Sequence, residues 1–267
     1  MLTSSAALHL CASIGSVAVI IGSLERLAAP RLLDDGALAG WPVSATSVRL
    51  LTRRSFQRTA GQLLVYPRVL GLVAACLACG ILLALHPSSA VNSVAAAVIA
   101  ATYMLLGMRS RFGGDGADQM TIIVFTSLAL AFGVGQARAN ETVLWFLSAQ
   151  VCLAYFTAGV AKLAGSSWRR GTALPELLAT ECYGHPRVAR MLARHRGLAV
   201  VMCWWVIGFE CGFPLVLLGI RPLTCTLLIS AALMHLGTAL VMRLTTFFWA
   251  FVATYPAIVF CATVRGR

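Results

Sequence analysis

The stretch that decides the fold is Val143 to Leu163, VLWFLSAQVCLAYFTAGVAKL, an apolar run with a single charged residue, Lys162. A helix of about 20 such residues is long enough to cross the hydrocarbon core of a bilayer. Lys162 is also the only lysine in a chain with twenty arginines. Ionisable groups in hydrophobic spans are functional-site candidates, and a buried lysine, unlike an arginine, can give up its proton and act as a base. The alternative is that the amine snorkels to the lipid headgroups.

Similar apolar segments occupy most of the chain. We expect membrane-spanning helices near 7–28, 64–85, 90–108, 119–136, 142–163, 198–219, 222–242 and 245–263. The chain is 59% hydrophobic and only 11% charged, whereas a soluble domain has about 25% charged residues. The predicted fold class is therefore all-α, a polytopic integral membrane helical bundle with about eight transmembrane helices. It is expected to form one domain over residues 1–267 with no separate soluble domain.

The net charge of +12 comes from arginines in the short segments between the apolar runs. This distribution is typical of topology signals and not of a nucleic-acid-binding face, so the expected partner is the lipid bilayer and not nucleic acid. In the predicted topology most basic residues fall on one side, and only Arg138, Arg221, Arg265 and Arg267 fall on the other. The positive-inside rule places the long Arg-rich loops in the cytoplasm. The preference for Arg over Lys suggests a bacterial plasma-membrane protein.

Two connections are long enough to hold interfacial structure, Ala29 to Leu63 and Ala164 to Gly197. The first is rich in arginine and is expected to lie on the membrane. The second contains Leu174 to Leu178 and Val188 to Leu192, the latter among several arginines. This pattern favours short amphipathic helices at the headgroups.

The nine cysteines lie almost all within apolar segments, where thiols behave as small hydrophobic groups, so no disulfide framework is predicted. Cys76 and Cys79 form a C-x-x-C pair, which would suit a redox function but also occurs by chance in an Ala/Leu/Cys helix. No pair of candidate ligands has helical metal-binding spacing, so no metal is expected.

Several polar residues occur where an apolar helix does not favour them. Glu210 lies in the middle of the sixth span and His235 in the middle of the seventh, while Asp115, Asp118 and Gln119 open the fourth. A carboxylate at the bilayer centre costs roughly 3 kcal/mol even on lenient scales. We therefore expect these groups to converge on a protein interior.

Each of these residues also has a structural interpretation. Asp115 and Asp118 suit a Gly-rich turn and a helix cap. Glu210 shortly precedes a glycine and a proline, so its carboxylate would also bond backbone groups freed by a kink. A lone histidine in an apolar helix, such as His235, is also typical of an interior side chain whose hydrogen bonds are satisfied by the protein.

Two strings carry a family resemblance. The first is YFTAGVAKL, from Tyr155 to Leu163, followed by WRRG at 168–171; the second is HLGTA from His235 with FFWAFVATYP at 247–256. Together they resemble the HTTM family, the membrane domain shared with vitamin K-dependent gamma-carboxylase. The likeness is fairly specific from Leu144 to Ile258 and loose elsewhere. The family domain is an all-helical bundle, in agreement with the predicted spans.

The resemblance implies a quinol chemistry. In the carboxylase, a lysine in the matching A-G-x-x-K-L string is the base linked to oxygenation of vitamin K hydroquinone, and Lys162 occupies that position. Glu210 and His235 match an acidic residue and a histidine, expected to orient the quinol or relay protons. The implied cofactor is a reduced isoprenoid quinone of the vitamin K or menaquinol type. The expected substrate-binding residues are Asp115, Asp118, Gln119, Tyr155, Trp168 and Trp249.

The chain also departs from the carboxylase. The segment matching a histidine-containing N-N-H-S string is 115–119, which has no histidine. We also expect no counterpart of the soluble portion that helps hold the carboxylase propeptide. Quinol-linked oxidation is therefore expected rather than glutamate carboxylation. The family also places its active site on the exoplasmic side, opposite to the side that the arginine count indicates, so both orientations stay open.

Small bacterial members of the family also resemble a membrane component that matures a secreted toxic peptide, of the sporulation-delaying protein B type. The second hypothesis is therefore a membrane maturation factor without carboxylase activity. Such a factor would act with a peptide substrate or with partner maturation proteins.

Overall fold

The computed structural model of the chain describes residues 2–36, 40–48, 61–109, 115–181 and 183–266. The described residues form helices joined by short turns. In chain order the helices are α1 (Ser4–Ala28), α2 (Trp41–Val48), α3 (Arg68–Leu85), α4 (Ser89–Arg109), α5 (Gly116–Val134), α6 (Ala137–Ala164), α7 (Ser166–Arg170), α8 (Ala173–Leu178), α9 (Pro186–Arg194), α10 (Arg196–Gly212), α11 (Arg221–Met242), α12 (Thr245–Val252) and α13 (Tyr255–Arg265). Short 3-10 helices occupy Pro30–Leu33 and Phe213–Leu218.

Within the described residues, eight helices are long and apolar enough to cross a membrane. They are α1, α3, α4, α5, α6, α10 with its 3-10 extension, α11, and α12 with α13. This confirms the predicted all-α polytopic fold, and every predicted span overlaps one of these helices. The chain is an integral membrane protein.

Two of the spans are interrupted next to a proline. The α10 helix ends at Gly212 and continues as a 3-10 helix that contains Pro214. The last span is interrupted between α12 and α13, and Pro256 lies in the first turn of α13. Both breaks lie within a few residues of the polar and aromatic side chains of the candidate site.

The chain divides into two compact units, one of Leu8–Val143 and one of Met1–Ala7 with Leu144–Arg267. In the first unit, the side chain of Arg109 at the end of α4 is almost fully buried. Its guanidinium donates to the carboxylate of Asp35 at 3.0 Å and to the carbonyl oxygens of Leu33 and Leu64. Its own carbonyl accepts a hydrogen bond from the Ser44 hydroxyl. One buried arginine therefore holds together the described parts of the first long connection.

The second unit contains α10 to α13, most of α6, and the short helices α7, α8 and α9. The α8 and α9 helices cover the two segments in which short amphipathic helices were predicted, and both are present. Their buried side chains, Leu178, Ala189 and Leu192, form a small cluster with Ala199 of α10. For the first long connection, residues 37–39 and 49–60 lie outside the described residues.

Candidate functional site

The side chains of Lys162 and Glu210 form an ion pair. The amine Nζ donates to Oε1 at 2.9 Å and to Oε2 at 2.7 Å, so both carboxylate oxygens are engaged. The Glu210 side chain is 4% exposed and that of Lys162 is 22% exposed. Within the described residues, the Glu210 carboxylate thus accepts hydrogen bonds from Lys162 and not from backbone groups freed at the following proline. The amine points to a protein carboxylate instead of snorkelling away.

The pair forms because α6 and α10 approach very closely next to it. Gly159 lies one turn before Lys162, and a Cβ atom at Gly159 would lie 2.7 Å from the Cys211 amide nitrogen and 2.9 Å from the Glu210 Cβ. Only a residue without a side chain allows this approach. A lysine amine and a glutamate on different helices can therefore meet directly.

His235 and Tyr155 form a second polar pair in the same unit. The His235 Nε2 lies 2.7 Å from the Tyr155 hydroxyl, and His235 is 1% exposed. The other ring nitrogen, Nδ1, is buried and has no hydrogen-bond partner among the described residues. An unsatisfied buried polar atom costs about 1–3 kcal/mol, so a ligand that bonds Nδ1 would recover this energy.

Aromatic rings surround these two polar pairs. The His235 ring stacks on Phe251 with centroids 4.5 Å apart, and Phe251 stacks on Phe247 at 5.0 Å. The Lys162 Nζ lies 5.3 Å from the centre of the Trp168 ring, within the range of a cation–π contact. The polar groups therefore sit among flat, electron-rich surfaces.

Both pairs line one cavity of about 270 Å³. Its other walls are chiefly aliphatic and aromatic, apart from the Thr238 hydroxyl, which donates to the His235 carbonyl. The described lining residues are Ala154, Tyr155, Ala158, Lys162, Trp168, Leu174, Leu177, Val206, Glu210, Met234, His235, Thr238, Met242, Leu244, Phe247 and Phe251. An apolar pocket with a few convergent polar groups is the usual form of a small-molecule site.

The helices present these residues on single faces. Tyr155, Ala158 and Lys162 recur at helical spacing along α6, and Phe247 and Phe251 lie one turn apart on α12. Five residues predicted for the site line the cavity, namely Lys162, Glu210, His235, Tyr155 and Trp168.

Trp249 is not among the described residues that line the cavity, and its ring packs edge-on against Phe248. It lies two positions from both Phe247 and Phe251, which turns it to the opposite side of α12. The two phenylalanines were not singled out beforehand, although their four-residue spacing after a resembling motif is a usable signal.

Asp115, Asp118 and Gln119 belong to the other compact unit. Asp115 caps α5 by accepting hydrogen bonds from the amides of Ala117 and Asp118, as the capping interpretation predicts. The Asp118 carboxylate lies 3.4 Å from the guanidinium of Arg26. Gln119 is exposed. Their role in substrate binding stays a prediction.

Among the described cysteines, the free thiols include Cys76, Cys79, Cys152, Cys203, Cys211, Cys225 and Cys261. Cys76 is buried and Cys79 is half-buried on α3, which lies in the unit without the cavity. Cys182 lies outside the described residues.

The Lys162–Glu210 pair is suited to proton transfer. A buried ion pair is stabilised by mutual attraction against the cost of desolvating both charges, so passing a proton from the ammonium to the carboxylate leaves two neutral groups at a modest cost. The resulting amine is a base that points into an apolar cavity. Arginine at the same position would stay charged.

Comparisons of the chain with protein families, with curated proteins and with solved structures find no match. The resemblance carried by the motif strings therefore stays a prediction. What the chain does is inferred from the groups that line its cavity.

Proposed function

We propose that the chain is an integral membrane enzyme that binds a reduced isoprenoid quinone in this cavity and removes a hydroxyl proton with Lys162 as the base. The observation that carries the proposal is that the Lys162–Glu210 pair and His235 line one apolar, aromatic cavity. The Nδ1 of His235 is buried and has no hydrogen-bond partner among the described residues. A hydroxylated aromatic ring is the ligand whose apolar faces and polar edge match these walls.

The residues present fit such a group. Trp168, Phe247 and Phe251 offer ring faces for stacking, and His235 Nδ1 offers a buried hydrogen-bonding position. A bound reduced quinone would supply an acidic hydroxyl and two electrons. The cavity opens in a bilayer-spanning unit, where a lipid-soluble molecule is at high local concentration.

Three side chains have separate roles in proton transfer and in positioning the quinol. Glu210 takes the ammonium proton of Lys162, and the neutral Lys162 amine then accepts the hydroxyl proton. The Tyr155 hydroxyl holds the His235 ring in place through Nε2. His235 then positions the hydroxyl group of the quinol through Nδ1. These roles agree with those that the HTTM resemblance implies for Lys162, Glu210 and His235.

The overall reaction that we propose uses molecular oxygen as the oxidant. One reduced vitamin K or menaquinol and one dioxygen give one quinone epoxide and one water. Glutamate carboxylation is not needed for this balance.

The test is oxygen-dependent epoxide formation by purified protein in lipid nanodiscs loaded with reduced vitamin K or menaquinol. Lys162→Arg is the informative variant, because it keeps the charge facing Glu210 but stays protonated. We expect turnover in the wild type and a loss of about 100-fold or more in Lys162→Arg, in line with the removal of a general base. Equal thermal unfolding temperatures would show that the variant is folded.

Turnover that is unchanged in both Lys162→Arg and Lys162→Ala would contradict the proposed base. No turnover by folded wild-type protein with reduced quinone present would instead favour the second hypothesis, a maturation factor for a secreted peptide. That factor should tolerate both Lys162 variants and respond to substitutions in its Arg-rich loops.

A further inference from the structure

A second cavity of about 180 Å³ lies beside the first, between the short helices α8 and α9 and the spans α10 and α11. Its described lining is apolar apart from the Trp205 indole and the Thr238 hydroxyl, and that hydroxyl is already bonded to the His235 carbonyl. Four of the lining residues are methionines, Met191, Met202, Met234 and Met242. Methionine side chains adapt to ligands of variable shape, such as a hydrocarbon chain.

The α9 helix forms one wall of this cavity and is strongly amphipathic. Val188, Met191 and Leu192 line the cavity, whereas Arg187 and Arg194 are exposed next to Met191 on the helix surface. Arg190 extends the same basic face. A groove for an apolar chain therefore has a row of positive charges along its edge.

These arginines are not neutralised by acidic side chains. Among the residues that the structure describes, Arg187, Arg190 and Arg194 form no ion pair, and Arg190 bonds only the carbonyl of Pro186 through its side chain. Arg169, Arg170 and Arg196 are exposed at the neighbouring helix ends and are likewise without an ion pair there. The net positive charge is available to an external anion.

We propose that this groove is a binding site for an anionic phospholipid. Part of one acyl chain occupies the cavity between α9, α10 and α11, and the headgroup phosphate lies against Arg187, Arg190 and Arg194. Charge complementarity at the rim and the apolar lining identify the occupant, since an anionic lipid carries both features in one molecule. This site does not depend on the proposed quinol chemistry.

The first experiment measures lipid binding by native mass spectrometry of the purified full-length protein. The probes are phosphatidylglycerol and phosphatidylcholine with identical acyl chains. We expect phosphatidylglycerol to bind more tightly. The triple variant Arg187→Gln, Arg190→Gln, Arg194→Gln should weaken its binding by roughly tenfold or more, because each arginine near an anionic headgroup contributes to affinity.

The matched control removes the same number of exposed arginines elsewhere, through Arg138→Gln, Arg221→Gln and Arg265→Gln. This control should leave phosphatidylglycerol binding unchanged. Equal weakening in the two triple variants would assign the effect to net charge and overturn the site.

The second experiment fills the groove. Gly237 lines the cavity and a Cβ atom there would meet no atom within 4 Å, so Gly237→Leu occupies the space without a backbone clash. The control is Gly208→Leu on α10, which also has open space around its Cβ but does not line the cavity. We expect lipid retention to be lost in Gly237→Leu and kept in Gly208→Leu.

Three results would overturn the proposal. The first is equal affinity for the two lipids, and the second is undiminished binding in Gly237→Leu. The third is displacement of phosphatidylglycerol by a soluble acidic peptide that binds the arginines with no contribution from the groove, which would assign this surface to a peptide partner.

Discussion

Gly159 of α6 packs directly against the backbone of Cys211 in α10. A Cβ atom at Gly159 would lie 2.7 Å from the Cys211 amide nitrogen, closer than non-bonded atoms can approach. This contact brings Glu210 within reach of Lys162, which follows Gly159 by one helical turn. The ion pair in the cavity therefore depends on the absence of a side chain on the neighbouring turn.

Gly159→Ala should force α10 away from α6. We expect a loss of about 1–3 kcal/mol of unfolding free energy, typical of overpacking, and reduced quinol turnover because the ion pair lengthens. Gly208→Ala on α10 is the control, since nothing lies within 4 Å of its Cβ position. The measurement is denaturant unfolding in detergent micelles. Equal stability of the two variants would refute the close-packing account.

Removing either partner of the Lys162–Glu210 pair should have unequal effects. Lys162→Met leaves a carboxylate that is only 4% exposed without its partner, and we expect a cost of about 3 kcal/mol. Glu210→Gln leaves an amine that is 22% exposed and can reach water, so its cost should be about 1 kcal/mol. Lys162→Met combined with Glu210→Gln should cost less stability than the sum of the two single losses and should not restore turnover. Additive losses in this double-mutant cycle would show that the two groups are not coupled.

Tyr155→Phe removes the hydroxyl that lies 2.7 Å from His235 Nε2. We expect a cost of about 1–2 kcal/mol, because both ring nitrogens of a buried histidine are then left without a protein partner. A positioning role for Tyr155 also predicts a raised KM for the quinol. Tyr183→Phe, at an exposed tyrosine, should change neither stability nor KM. If Tyr155→Phe behaves like Tyr183→Phe, the hydrogen bond does not hold His235.

Asp35 should make the stability of the compact unit Leu8–Val143 sensitive to acid. Burial raises the pKa of this carboxyl, but hydrogen bonds from Arg109 and from the amides of Tyr66 and Trp41 outweigh it and hold the pKa below its ordinary value. A lowered pKa in the folded state means that Asp35 stabilises the fold above its unfolded pKa and loses this contribution as the pH falls through the folded value.

Asp35→Asn should therefore cost about 3 kcal/mol at pH 7, because it leaves the buried Arg109 guanidinium without its carboxylate. The stability difference from the wild type should shrink below about pH 4, where the wild-type carboxyl is protonated in the unfolded chain and then in the folded one. Thermal unfolding between pH 7 and pH 3 checks this, with the exposed neighbour in Asp34→Asn as the control. A difference that is constant with pH would contradict the ion pair.

The sequence predicted the spans well because bilayer thickness dictates the length of an apolar run. The glycine and proline after Glu210 indicated a kink in the sixth span, where α10 continues as a 3-10 helix. The interruption within the eighth span was missed, because a hydropathy pattern does not show where a helix breaks. The cost of charge in apolar surroundings also singled out Lys162 and Glu210. The structure brings both to one cavity with His235.

The contacts within the site could not be predicted in the same way. A helix that is apolar on every side has no periodicity to show which face meets a neighbour, so neither the Tyr155–His235 hydrogen bond nor the choice of Phe251 over Trp249 could be read from α6 or α12. The division into two compact units was also not visible, because apolar spans occur throughout both of them.

The most direct test of the proposed quinol site is the binding of a short-chain naphthoquinol to wild type, Ala158→Phe and Ala161→Phe, measured by equilibrium dialysis without oxygen. Ala158 lines the cavity and has no acid–base role in the proposed reaction. Ala161 is exposed on the same helix and is not among the residues that line the cavity. We predict that Ala158→Phe alone abolishes binding. Undiminished binding by folded Ala158→Phe would contradict a quinol site between Lys162, Glu210 and His235.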